Sequence, residues 1–238
     1  MKLDILVFAA HPDDAELSCS GTIAAHVAKG KKVGIVDLTR GEMGTRGSAD
    51  LRDQEAAAAA KILGLAVRDN LRFQDSFFQN DRDHQMAVIK AIRKYQPEII
   101  LANAIHDRHP DHGRAAELLQ QSVFLSGLRK ITTTDDDKEQ QPWRPKAVYN
   151  YVQSLYIKPD FVMDITGYWK VKMDSIRAYE SQFFDPKSEE PETYISRPEF
   201  IDFLEARARE YGNQIGVTYG EGFTVNRTPG VSDLFVLT

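Results

Sequence analysis

The stretch LDILVFAAHPDDAEL (residues 3–17) constrains this chain more than any other, because an unbroken apolar run ends in a histidine, a proline and two adjacent aspartates. A run that is apolar at every position, without alternation, reads as a strand covered on both faces. Parallel sheets of layered α/β folds supply such strands. Two neighbouring carboxylates at the end of one repel each other and cost desolvation free energy. A site for a cation or for catalysis accounts for that cost; stability alone does not.

The rest of the chain continues the alternation. Strands are expected at 3–10, 32–39 and 98–104, and helices at 21–30, 50–65, 83–95 and 113–128. Gly30, Gly64 and Pro97 act as stops and Asp50 as an N-cap. Residues 41–48 read as a flexible glycine-rich loop and 132–143 as a polar connection. Further strands are expected at 147–152 and 161–165, and helices at 167–184 and 197–212, with Gly212 after the last and a surface loop at 185–193 between them. The fold class is therefore α/β, a Rossmann-like layered domain with a mostly parallel sheet flanked by helices. Residues 1–238 are expected to form one domain, the C-terminal third packing on the same sheet.

A net charge of -5 and a pI near 5.7 argue against a nucleic-acid or anionic-membrane binder and leave a small-molecule substrate as the expected partner. A homo-oligomer is compatible with the sequence. The single cysteine, Cys19, forms no internal disulfide and reads as a small buried hydrophobe. The N-terminal apolar run is interrupted by Asp4 and is too short for a secretion signal, and nothing approaches the roughly 20 apolar residues of a membrane span. A cytoplasmic location is expected.

Two loops carry the chemistry. HPDD (11–14) follows the first strand and HPDH (109–112) follows the 98–104 strand. Parallel strands bring both to the sheet edge where α/β proteins bind ligands. His11 and Asp14 are three apart, so one turn can aim both at a point, and His112 can add a third ligand from across the crevice. Two imidazoles and one carboxylate suit Zn²⁺ and leave a position open for water. Asp13 is then free to act as general base. His109 is placed to stabilise an oxyanion when protonated, or to assist the leaving amine, with Asp111 holding its ring. Arg52, at the start of the helix after the glycine-rich loop, reads either as a bidentate donor to substrate oxygens or as a helix-surface charge. His106 lies near the cluster without a role, and His26 and His84 read as helix-face residues. The same ligand set also makes the facial triad of Fe(II) oxygenases. The free Asp13 favours hydrolysis over that chemistry, and over a sugar-binding or metal-storage module, which would have no use for a base beside an open position.

AHPDDAELSCSGTIA together with HPDHGRAAELL resembles the LmbE/PIG-L family of zinc-dependent N-acetylglucosamine deacetylases. LTRGEMGTRGSADLRDQEAAAAAKILGL and DRHPDHGRAAELLQQSVFLSGLRK resemble more narrowly its bacillithiol branch, which acts on N-acetyl-α-D-glucosaminyl L-malate. The resemblance implies Zn²⁺ as cofactor and hydrolysis of an N-acetyl group from a glucosaminyl conjugate, with another substrate such as a chitooligosaccharide as the alternative. It implies zinc ligation by His11, Asp14 and His112, general-base action by Asp13, support of the tetrahedral intermediate by His109, and substrate binding by Arg52. It further implies a carbonyl-polarising tyrosine, for which Tyr194 in ETYISRP is the candidate. Where the family often follows HPDD with a glycine-rich turn, this chain reads AELSCSGT and keeps only Gly21. A malyl group brings two carboxylates, so cations are needed near the pocket. Arg40, Arg46 and Arg108 flank the motif loops, and at least one is expected to contact it.

Overall fold

The computed structural model describes residues 1–183 and 186–237. Nine strands are described: β1 (Ile5–Ala9), β2 (Val33–Thr39), β3 (Val67–Phe73), β4 (Ile99–Ala102), β5 (Thr134–Asp135), β6 (Lys138–Glu139), β7 (Ala147–Tyr151), β8 (Phe161–Asp164) and β9 (Gly220–Val225). Six α-helices accompany them: α1 (Asp14–Ala28), α2 (Ala49–Leu63), α3 (Arg82–Tyr95), α4 (Pro110–Ser126), α5 (Trp169–Arg177) and α6 (Phe200–Gln214). Seven strands make one sheet in the order β3-β2-β1-β4-β7-β9-β8, while β5 and β6 pair separately as a short hairpin. The sheet is parallel from β3 through β7, and β9 runs antiparallel to both β7 and β8. The predicted α/β architecture with a mostly parallel sheet is what the chain adopts.

β1 lies at the centre, Val7 opposite Ile35 of β2 and Leu101 of β4. Its side chains divide by the two-residue period of a strand. Leu6 and Phe8 join an apolar cluster with Ile92 of α3 and Leu118 of α4, whereas Ile5, Val7 and Ala9 join another with Ile23 of α1 and Tyr151 of β7. Both faces are covered, so no position on β1 can be polar. A third cluster packs α2, α5 and α6 together through Ala56, Ala59, Met173, Ile176 and Leu204.

The structure departs from the sequence reading at several boundaries. α1 begins at Asp14, not at residue 21. Its residues from Asp14 through Ala25 are buried except Leu17, so polar and apolar positions do not segregate and the helical period is hidden. Ser48, not Asp50, caps α2 by accepting from Leu51 N, and the helix ends as expected at Gly64 in the left-handed conformation. α5 stops at Arg177; residue 184, which closes the predicted helix, and residue 185, which opens the predicted loop, lie outside the described residues. Gly212 sits inside α6, where a Cβ would come within 2.8 Å of the Thr218 backbone. β3 and β9 were not predicted.

One buried ion pair anchors the C-terminal elements to the helix that opens with Asp14. Glu221 of β9 accepts from Lys172 Nζ of α5 at 2.8 Å, and also from Gly21 N, Thr22 N and Thr22 Oγ1 of α1. Those added donors offset the desolvation of a pair buried this deeply. Among the described residues, no helix is long and apolar enough to cross a membrane.

Candidate active site

The polar side chains converge where the parallel strands end. The β1–α1 turn brings His11, Asp13 and Asp14, the β4–α4 connection brings His109 and His112, and the loops after β3 and β7 bring Asp75 and Gln153. Together with Arg52 they line a cleft of about 170 Å³. Both motif loops thus meet at one sheet edge, as their placement after parallel strands predicts.

Asp13 has φ 120 and ψ -25, a conformation that costs a residue bearing a Cβ on the order of 1–3 kcal/mol. Held so, the two neighbouring carboxylates face different partners. Asp14 Oδ2 lies 3.5 Å from His11 Nδ1 and Asp14 Oδ1 lies 3.0 Å from His112 Nε2. Asp13 Oδ2 instead lies 3.4 Å from Arg52 Nη2.

The far side of each imidazole decides whether these residues fit a metal ion. His112 Nδ1 is 2.6 Å from Asp107 Oδ2, while His11 Nε2 is 3.1 Å from Asp75 Oδ1 and 3.2 Å from Asp111 Oδ2. A carboxylate on the outer nitrogen holds a proton there, so the inner nitrogen, once it has given up its own, turns a lone pair toward Asp14. Metal-ligating histidines are held in this way, so two imidazoles and a carboxylate here fit a divalent cation. Among the described residues, the groups whose potential ligand atoms all lie within 4.8 Å of one another are His11 with His109 and His112, and His11 with Asp75 and Asp111; Asp14 is in neither. Asp14 also accepts from Asn103 Nδ2 at 3.0 Å and from Gln153 Nε2 at 3.1 Å, which fixes its orientation.

The electrostatics separate the two carboxylates. Burial pushes Asp14 up, but His112 and His11 outweigh it and hold the carboxyl well below the usual carboxylate range. Burial pushes Asp13 up to about 7, with Arg52 pulling it down and Asp14 pushing it back up. A carboxyl near neutrality exchanges protons readily at physiological pH. Burial, then His11 and His112, lower the pKa of His109 and favour its neutral form. Its Nδ1 accepts from Asp111 N at 3.3 Å, so Nε2 carries the proton and can donate. His109 thus need not be protonated to act as a donor, and Asp111 does hold its ring, through the backbone N–H, while the Asp111 carboxylate orients His11.

Arg52 is buried, its Nη2 also donating to Gln182 Oε1, so it is no surface charge. Of the three arginines considered for a malyl group, Arg40 is paired with Asp50 and Asp53. Arg46 is buried and donates to Ser181 O and Ser188 Oγ. Only Arg108 of the three lines the cleft, its guanidinium 4.3 Å from the centre of the Tyr194 ring. Tyr194 packs edge-on against Phe200, 5.5 Å between ring centres. His106 is exposed, His26 bonds to Thr22 O within its own helix, and His84 packs against Phe73. Cys19 is buried and burial pushes its thiol up, which makes it inert.

Sequence reasoning missed Asp75, Asn103, Asp107 and Gln153. Asp107 alone carried a signal, as a carboxylate two residues before the HPDH motif. The other three sit in ordinary loop contexts and reach the site only through the strand order.

The profile of the PIG-L family, described as GlcNAc-PI de-N-acetylase, matches residues 6–123. A diacetylchitobiose deacetylase of Thermococcus kodakarensis is 30% identical over 237 residues, covering 95% of this chain and 84% of its own. A 4-oxalmesaconate hydratase of Pseudomonas putida is 27% identical over 196 residues, covering 74% of this chain and 73% of its own. Among solved structures, a conserved protein of Thermus thermophilus superposes with a TM-score of 0.85 at 35% identity, covering 97% of this chain and 98% of that one.

Proposed function

The chain belongs to the PIG-L (LmbE) family of deacetylases, and from that premise we propose that it hydrolyses the N-acetyl group of an N-acetylglucosaminyl conjugate to acetate and a free amine. The observation that carries this reading is the division between the two adjacent aspartates. Asp14 lies between the imidazoles of His11 and His112, while Asp13 turns away from them to Arg52 and faces the same cleft.

Zinc, when held by His11, Asp14 and His112, supplies Lewis acidity to the amide carbonyl and to water. Asp13 takes a proton from the attacking water. His109 Nε2–H donates to the oxygen that gains charge as the carbonyl carbon becomes tetrahedral. Arg52 stabilises Asp13 as a carboxylate and offers its remaining N–H groups to substrate oxygens. Collapse breaks the C–N bond, and the nitrogen leaves with the proton that Asp13 took from the water.

For the substrate we favour N-acetylglucosaminyl L-malate, an intermediate of bacillithiol biosynthesis, because Arg108 lines the cleft and, among the described residues, pairs with no carboxylate. The likeness to a diacetylchitobiose deacetylase supports a chitooligosaccharide as the second reading. The test is acetate and amine release from N-acetylglucosaminyl L-malate and N,N′-diacetylchitobiose, with metal analysis of the same sample. Equimolar acetate and amine from a zinc-containing protein supports the proposal. Water addition to an unsaturated acid, with no acetate from either sugar, would overturn it in favour of the hydratase relative's chemistry.

A further inference from the structure

Arg207, on α6, lines the cleft beside Phe200, Phe203 and Leu204 of the same helix. Burial lowers its pKa, so the charge is held in an environment that disfavours it. One of its five N–H groups donates to Gln153 O and another to Leu17 O at 3.3 Å. The guanidinium also lies over the Phe203 ring, 5.6 Å from its centre; among the described residues its other N–H groups have no hydrogen-bond partner, and no carboxylate there forms an ion pair with it. The other desolvated arginines near the cleft are matched: Arg52 faces Asp13, and Arg68 faces Glu16 and Asp37. Arg207 is half-buried, and a partly desolvated cation without an ion-pair partner is stabilised by a ligand that supplies an anion. Arg108, an exposed residue, likewise forms no ion pair among the described residues, and its guanidinium lies over the Tyr194 ring; the carboxylates of Asp107 and Glu221 act on the Arg207 charge from a distance without pairing with it.

We propose that Arg207, acting with Arg108, binds an anionic group, carboxylate or phosphate, on the part of the substrate beyond the sugar, and so determines which conjugate the cleft accepts. This rests on the deacetylase reading above. The planar guanidinium fork matches both anions, and the buried Phe200 beside it reduces the water that would screen the contact. Arg207 also acts by position. It holds the Gln153 carbonyl, and the Gln153 amide donates to Asp14, so a variant can slow every substrate alike. Only a change in the ratio between charged and neutral substrates isolates anion binding.

The experiment compares zinc-loaded parent, Arg207→Gln and Arg207→Lys on three substrates: N-acetylglucosaminyl L-malate, N-acetylglucosamine 1-phosphate and neutral N,N′-diacetylchitobiose. Calorimetry measures binding of free L-malate and of inorganic phosphate to the same proteins. Arg207→Gln should lose about ten- to a hundredfold more kcat/KM on an anionic conjugate than on the neutral one. It should weaken binding of the matching free anion by a similar factor, and Arg207→Lys should fall between. The anion that suffers more identifies carboxylate or phosphate as the group read. Equal losses on all three substrates, with free-anion binding unchanged, would reduce Arg207 to a support for Gln153 and overturn the proposal. Absence of deacetylation by the parent would refute the activity reading instead. The calorimetric comparison would then still decide, since a parent that binds neither anion contradicts the inference.

Discussion

Asp107 joins a metal-ligand candidate to the rim of the cleft, and its replacement by asparagine gives a sharp prediction. Asp107 Oδ2 meets His112 Nδ1 at 2.6 Å, and Oδ1 accepts from Leu155 N at 2.6 Å. Burial opposes its ionisation, but the bonds from His112 and Leu155 outweigh it and hold the carboxyl below its ordinary range. Asparagine is the same size and has one acceptor where the carboxylate has two. Its oxygen can serve His112 or Leu155, and its NH₂ then faces a donor at the other. If His112 loses its acceptor, the proton can move to Nε2, and the lone pair aimed at Asp14 is lost. Removing an outer partner of this kind weakens metal binding roughly 10–100-fold, about 1.4–2.7 kcal/mol. The assay is zinc competition against a chromophoric chelator at pH 7, with thermal unfolding run in parallel to confirm folding. A folded Asp107→Asn protein that binds zinc within twofold of the parent would refute the claim that Asp107 fixes His112.

Asp13→Asn should keep its zinc in the same competition assay yet lose about 10²–10⁴-fold in kcat, since it removes the proton acceptor and no ligand. Equal turnover by parent and variant would exclude Asp13 as base. Gly41→Ala should cut kcat/KM while leaving metal content intact: Gly41 has φ +66, and a Cβ there would lie 3.0 Å from Arg52 Cζ, driving the guanidinium away from Asp13. A crystal structure showing Arg52 undisplaced in that variant would contradict this cause. Burial, only partly offset by Arg68, pushes Asp37 up to about 6, above its ordinary value near 3.8. The folded state therefore takes up a proton that the unfolded chain releases, and the stability Asp37 contributes falls as pH rises from about 4 to about 6. Urea unfolding of Asp37→Asn should show a flatter pH profile across that window, and an unchanged slope would count against it.

What the sequence made legible follows from what was local. β1, β2 and β4 are covered on both faces, so their composition alone marks them as strands, and motifs placed after two of them must share an edge. β3 was hidden because VRDNLRF is an edge strand with half-buried, charged positions; its Arg68 and Asp69 bond to neighbours that no local pattern names. β9 was hidden by glycine. A Cβ at Gly220 would lie 2.6 Å from Val162 Cγ1, and one at Gly222 would lie 3.1 Å from the Tyr211 ring, so the strand must carry residues that read as a turn. The same limit applies to the site. His11, Asp13, Asp14 and His112 lie in two compact motifs, whereas Gln153 joins them across 139 residues of chain from Asp14. Arg46 shows the converse. Its position beside the glycine-rich loop suggested a ligand contact, but it bonds to a segment around Ser181 that only the tertiary fold brings near.

The account stands on water attacking an acetyl carbonyl, and isotope transfer measures that directly. In H₂¹⁸O, a single turnover of N-acetylglucosaminyl L-malate by the zinc-loaded protein should release acetate carrying one solvent oxygen, with one free amine per acetate, and Asp13→Asn should release neither at a comparable rate. Acetate without the label, or a labelled product that retains its acetyl group, would contradict hydrolytic deacetylation at this site.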